Sequence, residues 1–303
     1  DAKIGRIIAC DIKEPTDPPA ARSVVFERLD IRDGDAVRQA FAEHRPTSVI
    51  HLAAVVRQAD PEFAYAVDVI GSRNIFDACL EFTVRQIVVT SSGAAYGYHA
   101  DTPEWLREDD PLRGNPEYAY SHHKRLVEET LAELRETHPQ LGQLILRPGT
   151  ILGAGFRNQI TDYLERPRIL GVSGREAPFV MIWVEDVAAI IARGVLEQKT
   201  GRYNLAGDGA ISLREIARRM QKPYITLPAW LIRLMLSVLH RLRLTSNSPQ
   251  QVKFIQYRPV LANDALKTEF GYTPRLNSRE VFELYLRSKS LWQYAPDPVR
   301  RFL

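Results

Sequence analysis

The sequence is short of cysteine, of long apolar runs and of any excess of charge, and each shortage narrows its class. Only two of the 303 residues are cysteines, Cys10 and Cys79, and they do not form a C-x-x-C pair. That argues against a disulfide framework and a zinc site, and it fits a reducing cytosol. No stretch reaches the roughly 20 apolar residues that a membrane-spanning helix needs. No signal peptide is visible, and the sequence opens on Asp1 rather than methionine, so a preceding segment is expected. Lys and Arg number 40 against 37 Asp and Glu, a formal net charge of +3 that is too even to argue for a nucleic-acid partner. Repeats and low-complexity segments are also lacking. What remains is ordinary soluble globular composition, 45% hydrophobic and 25% charged, in a length that suits one large domain or two smaller ones.

The first half alternates strand and helix signals. Short apolar, β-branched runs stand at 6–12, 23–31, 47–56, 85–92 and 142–149, the last stopped by Pro148 and Gly149. Helical spacing fills 35–44, 62–82 and 117–134 between them. This pattern predicts a parallel sheet covered on both faces. In such a sheet ligands gather at the carboxyl ends of the strands, here Asp11, Asp30, Leu52 to Val56, Thr90 to Ser92 and Pro148 to Thr150. Later, 179–197 reads as strand then helix and 201–207 as a short strand. Helices are expected from 212, with Ser212 and Glu215 as a capping box, and over 278–289.

The segment "EYAYSHHKRLVEETLAEL" (117–134) places Tyr120 and Lys124 four residues apart on one helix face. A nearby ammonium favours the phenolate form of tyrosine, which suits general acid–base work. The spacing alone is common, and Tyr285 with Lys289 shares it on what reads as a surface helix. Context adds to it. Ser92 ends a strand upstream in "TSSGAAYG" (90–97), so a hydroxyl and a phenol can reach one carbonyl oxygen. His122 and His123 are turned away from Tyr120 by the helical spacing and are read as packing or solvent residues. The acidic "REDDP" (107–111) is read as a solvated loop rather than a metal site, and no metal is expected.

Taken in order, "ACDI" (9–12), "LDIRD" (29–33), "VIHLAA" (49–54), "VDVIGSRNIFDAC" (67–79), "VVTSSGAAYG" (88–97), "YSHHK" (120–124), "LRPGTILG" (146–153), "WVEDVAAII" (183–191) and "GRYNLAG" (201–207) resemble the extended short-chain dehydrogenase/reductases, in their NAD-dependent epimerase/dehydratase and 3β-hydroxysteroid dehydrogenase-like branch. The resemblance implies a Rossmann-like doubly wound sheet with a smaller C-terminal substrate domain. Residues 1–150 and 179–205 would bind the dinucleotide, and 151–178 and 206–303 the substrate. It implies Tyr120 as general acid/base, Lys124 as the group that tunes it and holds the nicotinamide ribose, and Ser92 as donor to the reacting oxygen. Asp11 would bind the adenosine ribose and favour NAD over NADP, a preference that Lys13 weakens slightly. Other implied cofactor contacts are Ile12, Asp30, Ile31, Leu52, Ala53, Ala54, Ser91 and Pro148. Implied substrate contacts are Val56, Ser92, Tyr96 and Thr150, with loop packing an equal role for Tyr96. A homodimer through helices 62–82 and 118–136 is expected by the same analogy.

The sequence departs from that family most in an absence. No G-x-x-G-x-x-G turn follows an opening strand to cradle a pyrophosphate. The expectation is a chain lacking roughly 25 leading residues, one strand–turn–helix piece, and so a sheet without its first strand. Smaller departures are Thr150 where sugar-nucleotide enzymes carry Asn, Phe179 and Val180 where they carry Arg-Asp, Gly93 and Ala94 after the serine, and Asp68 in place of Asn. With the apolar stretch "LPAWLIRLMLSVLHRLRL" (227–244) they suggest a less polar substrate without phosphate. That stretch is expected to be a buried helix or a substrate lid. A basic interfacial helix, with Arg233, Arg241 and Arg243 among the apolar residues, is the alternative. The function expected is NAD-dependent oxidoreduction or epimerisation of a secondary alcohol or ketone. The alternative is an inactive dinucleotide-binding or scaffold protein of the same fold.

Overall fold

The computed structural model describes residues 4–15, 23–56, 60–242, 244 and 249–294. In chain order the elements are β1 (Ile7–Asp11), β2 (Val24–Arg28), α1 (Gly34–His44), β3 (Ser48–His51), α2 (Pro61–Tyr65), α3 (Ser72–Glu81), β4 (Gln86–Thr90), α4 (Ala119–Thr137), β5 (Gly142–Pro148), β6 (Thr150–Leu152), α5 (Gln159–Leu164), β7 (Ile169–Val172), β8 (Pro178–Phe179), β9 (Met181–Trp183), α6 (Val184–Leu196), β10 (Gly201–Leu205), β11 (Ile211–Ser212), α7 (Leu213–Arg219), β12 (Tyr224–Leu227), α8 (Ala229–Arg241), α9 (Val252–Gln256), α10 (Asp264–Thr268) and α11 (Ser278–Tyr294). They pack as two compact units. Residues 1–90, 126–145 and 191–201 form the first, and 91–125, 146–190 and 202–303 the second.

In the first unit the β-branched runs form parallel strands, as their composition predicts. β3 pairs with β4, Ser48 opposite Gln86 and His51 opposite Val89. The first half of β5 lies on the other side of β4. β4 is buried from Gln86 to Val89, and its one polar side chain there is satisfied: the Gln86 amide donates to the Gly194 and Lys199 carbonyls at 2.9 and 2.8 Å. Leu29, Val37, Phe41, Phe76, Ile87 and Leu131 centre the core. β1 and β2 form a separate parallel pair, and among the described residues neither bonds to the sheet that ends at β3. Ile7 on β1 and Ile50 on β3 are exposed.

Two details of this unit depart from the sequence pattern. The run 47–56 forms a strand only as far as His51, and in the loop beyond it the Val55 N–H donates to the Asp68 carboxylate at 2.7 Å. The long helix over 62–82 carries a π-helical segment, Ala66–Gly71, between α2 and α3. The widened turn brings three buried groups into line: Ser72 donates to the Asp68 carbonyl at 2.6 Å and meets His51 Nε2 at 2.8 Å. Gly71 is required there, since a Cβ would lie 2.6 Å from Ile31 Cγ1. Asp68 thus holds the loop that follows β3.

The second unit carries the second half of β5, with β10 beside it, and three two-stranded pieces: β6 with β9, β8 with β11, and β7 with β12. Its core gathers Leu152, Leu164, Met181, Ile216, Val281 and Phe282. Arg147 on β5 is 1% exposed. It donates to the Tyr96 hydroxyl and the Glu108 carbonyl, both at 2.7 Å, and Tyr96 donates in turn to Asn204 at 2.9 Å. Burial pushes the Tyr96 phenol up to about 12 despite the Arg147 charge.

Two expectations for this unit are corrected. The capping box at α7 is half formed: Ser212 accepts the Glu215 N–H at 3.2 Å, but the Glu215 carboxylate turns to Arg219 and Arg279, cations that hold it better than a backbone amide. The apolar helix over 227–244 is not buried. Within α8 only Ile232 is buried, because only one narrow stripe meets the core. Arg243 lies outside the described residues.

Replacing Arg147 with methionine keeps the volume but leaves the Tyr96 hydroxyl and the Glu108 carbonyl without their donor. Stability should fall by about 2–4 kcal/mol, read as a lower urea midpoint at unchanged slope. A midpoint equal to that of the unsubstituted protein would show that the network contributes nothing net.

Candidate active site

The site residues expected from sequence divide between the two units. The first unit carries those at the ends of β1, β2 and β3. Asp11 is exposed, and its Oδ1 accepts the Lys13 N–H at 2.9 Å. Ile12, Leu52 and Val56 expose apolar side chains, Ala53 is exposed and Ala54 half-buried. Ile31 packs against the core. Asp30 is already engaged: Arg32 bonds its carboxylate through the side chain at 2.5 to 3.0 Å, and this contact holds the carboxyl below its usual range. These strand ends therefore carry an exposed carboxylate and several exposed apolar side chains, at the end of the sheet where such folds bind ligands. The glycine-rich element for its pyrophosphate is not in the sequence.

The second unit carries Ser91, Ser92, Tyr96, Tyr120, Lys124, Pro148 and Thr150. Ser92 caps a short 3₁₀ turn, Gly93–Tyr96, and its Oγ accepts the Ala94 N–H at 3.1 Å. That bond uses a lone pair, so the hydroxyl proton can still be donated. The same turn docks the start of α4. Ser121 donates to the Ala94 carbonyl at 2.6 Å and accepts the Asn115 N–H at 3.1 Å, and both residues are buried. The neighbouring Tyr120 is half-buried. One turn on, the buried Lys124 ammonium lies 5.7 Å from the centre of the Tyr120 ring. His123 is buried and His122 half-buried. Pro148 and Thr150 are buried along β5 and β6. The Tyr96 hydroxyl is committed to the Arg147 network described above, in line with loop packing.

Sequence reasoning passed over Arg258. Its Nε and Nη1 are buried without a hydrogen-bond partner. The guanidinium is held over the Phe179 ring at 3.9 Å and the Phe254 ring at 4.7 Å. Burial works against its charge, while the phenols of Tyr98, Tyr118 and Tyr163 work for it; an arginine stays charged under such conditions. Tyr98 and Tyr118 stack edge-on at 5.8 Å. Burial and the neighbouring Tyr120 phenol push Tyr118 up to about 12, and burial, then the phenols of Tyr118 and Tyr120, shift Tyr98 upward. The tyrosine cluster therefore stands within electrostatic reach of both Tyr120 and Arg258. The partners of Arg258 are scattered along the chain, so no spacing could have announced it.

Comparison with known proteins gives this geometry a setting. The family model for the NAD-dependent epimerase/dehydratase family matches residues 5–206. An uncharacterized protein of Mycobacterium tuberculosis is 24% identical over 294 residues, spanning 95% of this chain and 78% of that one. UDP-glucose 4-epimerase of Neisseria gonorrhoeae is 31% identical over 232 residues, 66% of this chain and 68% of the relative. Among solved structures, Bordetella bronchiseptica WbmG with NAD and UDP superposes with a TM-score of 0.71 at 17% identity, covering 95% of this chain and 86% of that one. UDP-glucose 4-epimerase of Thermus thermophilus with NAD gives 0.66 at 23% identity, covering 89% and 86%. The strand–helix alternation, the parallel pairing and the family match agree: this chain belongs to the NAD-dependent epimerase/dehydratase family, whose members are enzymes of the short-chain dehydrogenase/reductase type.

Proposed function

We propose that the chain carries out NAD-dependent oxidation, reduction or epimerisation at a secondary alcohol carbon, with Tyr120 as general acid/base. The observation that carries this reading is the docking of α4 onto the Ser92 turn with the Lys124 ammonium 5.7 Å from the Tyr120 ring. Tyr120 takes the hydroxyl proton as the carbonyl forms and returns it in the reverse direction. Lys124 favours the phenolate that must accept that proton. Ser92 donates its hydroxyl proton to the reacting oxygen. NAD, when bound, supplies the hydride acceptor.

The residues that would hold the cofactor are Asp11, Ile12, Ile31, Leu52, Ala53, Ala54, Ser91, Tyr120, Lys124 and Pro148, with Asp30 flanking the adenine through its Arg32 pair. The exposed Asp11 carboxylate favours NAD, since it would repel the 2′-phosphate of NADP. In this reading residues 1–150 and 179–205 serve the cofactor, and 151–178 and 206–303 the substrate. The substrate side contributes Val56, Tyr96 and Thr150. A homodimer through the helices over 62–82 and 118–136 rests on family analogy, and the two unpaired cysteines suit a reducing compartment.

A second reading concerns the substrate. Phe179 and Val180 suggested a molecule without phosphate, yet Phe179 carries the Arg258 guanidinium on its ring. A buried guanidinium with unpaired nitrogens is expensive unless an anion completes it. This favours a substrate with an anionic group, as in the UDP-glucose named for epimerase relatives, and leaves the apolar preference to the rest of the molecule.

Tyr120→Phe should lower turnover by about 10²–10⁴-fold while NADH affinity, followed by nicotinamide fluorescence, changes little. Lys124→Ala should move the alkaline-rising limb of the rate profile to higher pH. Turnover unchanged in Tyr120→Phe would dismiss the mechanism. Arg258→Met should leave the melting temperature equal or higher, since it removes an uncompensated buried charge, yet weaken UDP binding at least about tenfold. A lower melting temperature with UDP affinity unchanged would assign Arg258 to packing alone.

A further inference from the structure

We propose that α8 is an interfacial helix that seats the protein on an anionic lipid surface. The proposal stands apart from the catalytic reading, because no residue of α8 belongs to the proposed catalytic set. Its first support is the direction of the helix's apolar residues. Ile232 is buried against Val172 and Val252, with Leu227, Ala229 and Leu236 partly buried around it. The outward side is no more polar. Trp230, Leu234, Val238 and Leu242 follow one another every fourth residue and are 67%, 55%, 50% and 61% exposed. Met235 lies alongside, 48% exposed. Residues four apart stack along one face, so these side chains form a continuous ridge. Scattered exposed apolar residues are ordinary, but a contiguous ridge marks an interaction surface.

The second support is charge. From Ile216 to Asn263 the sequence contains no Asp or Glu; of its eight Lys and Arg, Arg219 and Lys253 pair with carboxylates from outside the segment and Arg258 is buried, which leaves the cations of α8 itself beside the ridge. On α8 itself Arg233, His240 and Arg241 are exposed. Helical spacing sets Arg233, Ser237 and His240 along one flank of the ridge. Arg233 is held there by Gln256, Nη2 to Oε1 at 3.4 Å. An apolar ridge with a cationic flank complements acyl chains beneath anionic headgroups.

Length and symmetry argue against other roles for the ridge. At 13 residues the helix is about 20 Å long, too short for a hydrocarbon layer of about 30 Å. No helix among the described residues is long and apolar enough to cross a membrane. A second copy docked on this ridge about a two-fold axis would set one acid-free, basic segment against another. A lipid surface meets no such repulsion.

The test is flotation of the full chain with two kinds of vesicle, phosphatidylcholine alone and phosphatidylcholine with one-third phosphatidylglycerol. The expected result is binding to the anionic vesicles at least about tenfold above the neutral ones. Leu234→Glu with Val238→Glu should abolish it without changing the thermal melt. Protein that stays unbound with anionic vesicles overturns the proposal. So does binding that survives the double substitution. So does a dimer, seen by light scattering, that the substitution splits while no vesicles bind. Should the double variant not fold, the readout moves to quenching by brominated lipid. Quenching should be present in the unsubstituted protein and largely lost in Trp230→Phe, and equal quenching in both would overturn the proposal.

Discussion

The chemistry proposed here depends on one buried hydroxyl. Ser121 donates to the carbonyl of Ala94 and accepts from the backbone of Asn115, so the first turn of α4 is fastened to the turn that Ser92 caps. The phenol of Tyr120 and the ammonium of Lys124 lie one residue and one helical turn from Ser121. Buried hydrogen bonds of this kind add little net stability, but they are costly to break singly. They therefore define a geometry more than they strengthen it, which is what acid–base chemistry asks of its scaffold.

Much of the fold was legible in the residues. "QIVVT" forms a strand parallel to β3 and "QLILRP" a buried strand because β-branched and apolar side chains on both faces leave no solvent side. "VEDVAAIIARGVL" forms α6 because its apolar positions recur at helical spacing. What escaped sequence reasoning was decided by partners far away in the chain. The loop after β3 is held by a carboxylate 13 residues on that takes the Val55 amide. Glu215 leaves its helix cap for two arginines. The apolar pattern of α8 says that the helix is amphipathic in part, but not which stripe the protein covers. Arg258 lies in "FIQYRPV", which carries no motif, and gains meaning only where Phe179 and Phe254 close around it.

The first unit reads consistently with the family it resembles. β1 and β3 each present an edge without a partner strand among the described residues, and both carry an exposed isoleucine. Unpaired parallel edges with apolar side chains are unusual in doubly wound proteins, whose sheets are covered on both faces. The sequence also lacks the glycine-rich turn that the family uses for pyrophosphate. Asp11, proposed above to bind the adenosine ribose, is exposed.

The central claim is that this chain works on a dinucleotide, and the most direct test is a titration of the purified protein with NADH and NADPH followed by nicotinamide fluorescence. The account predicts saturable binding of NADH, with NADPH weaker because Asp11 opposes its 2′-phosphate. No saturable binding of either cofactor would contradict it, and Tyr120, Lys124 and Ser92 would then lack the hydride partner on which their roles rest.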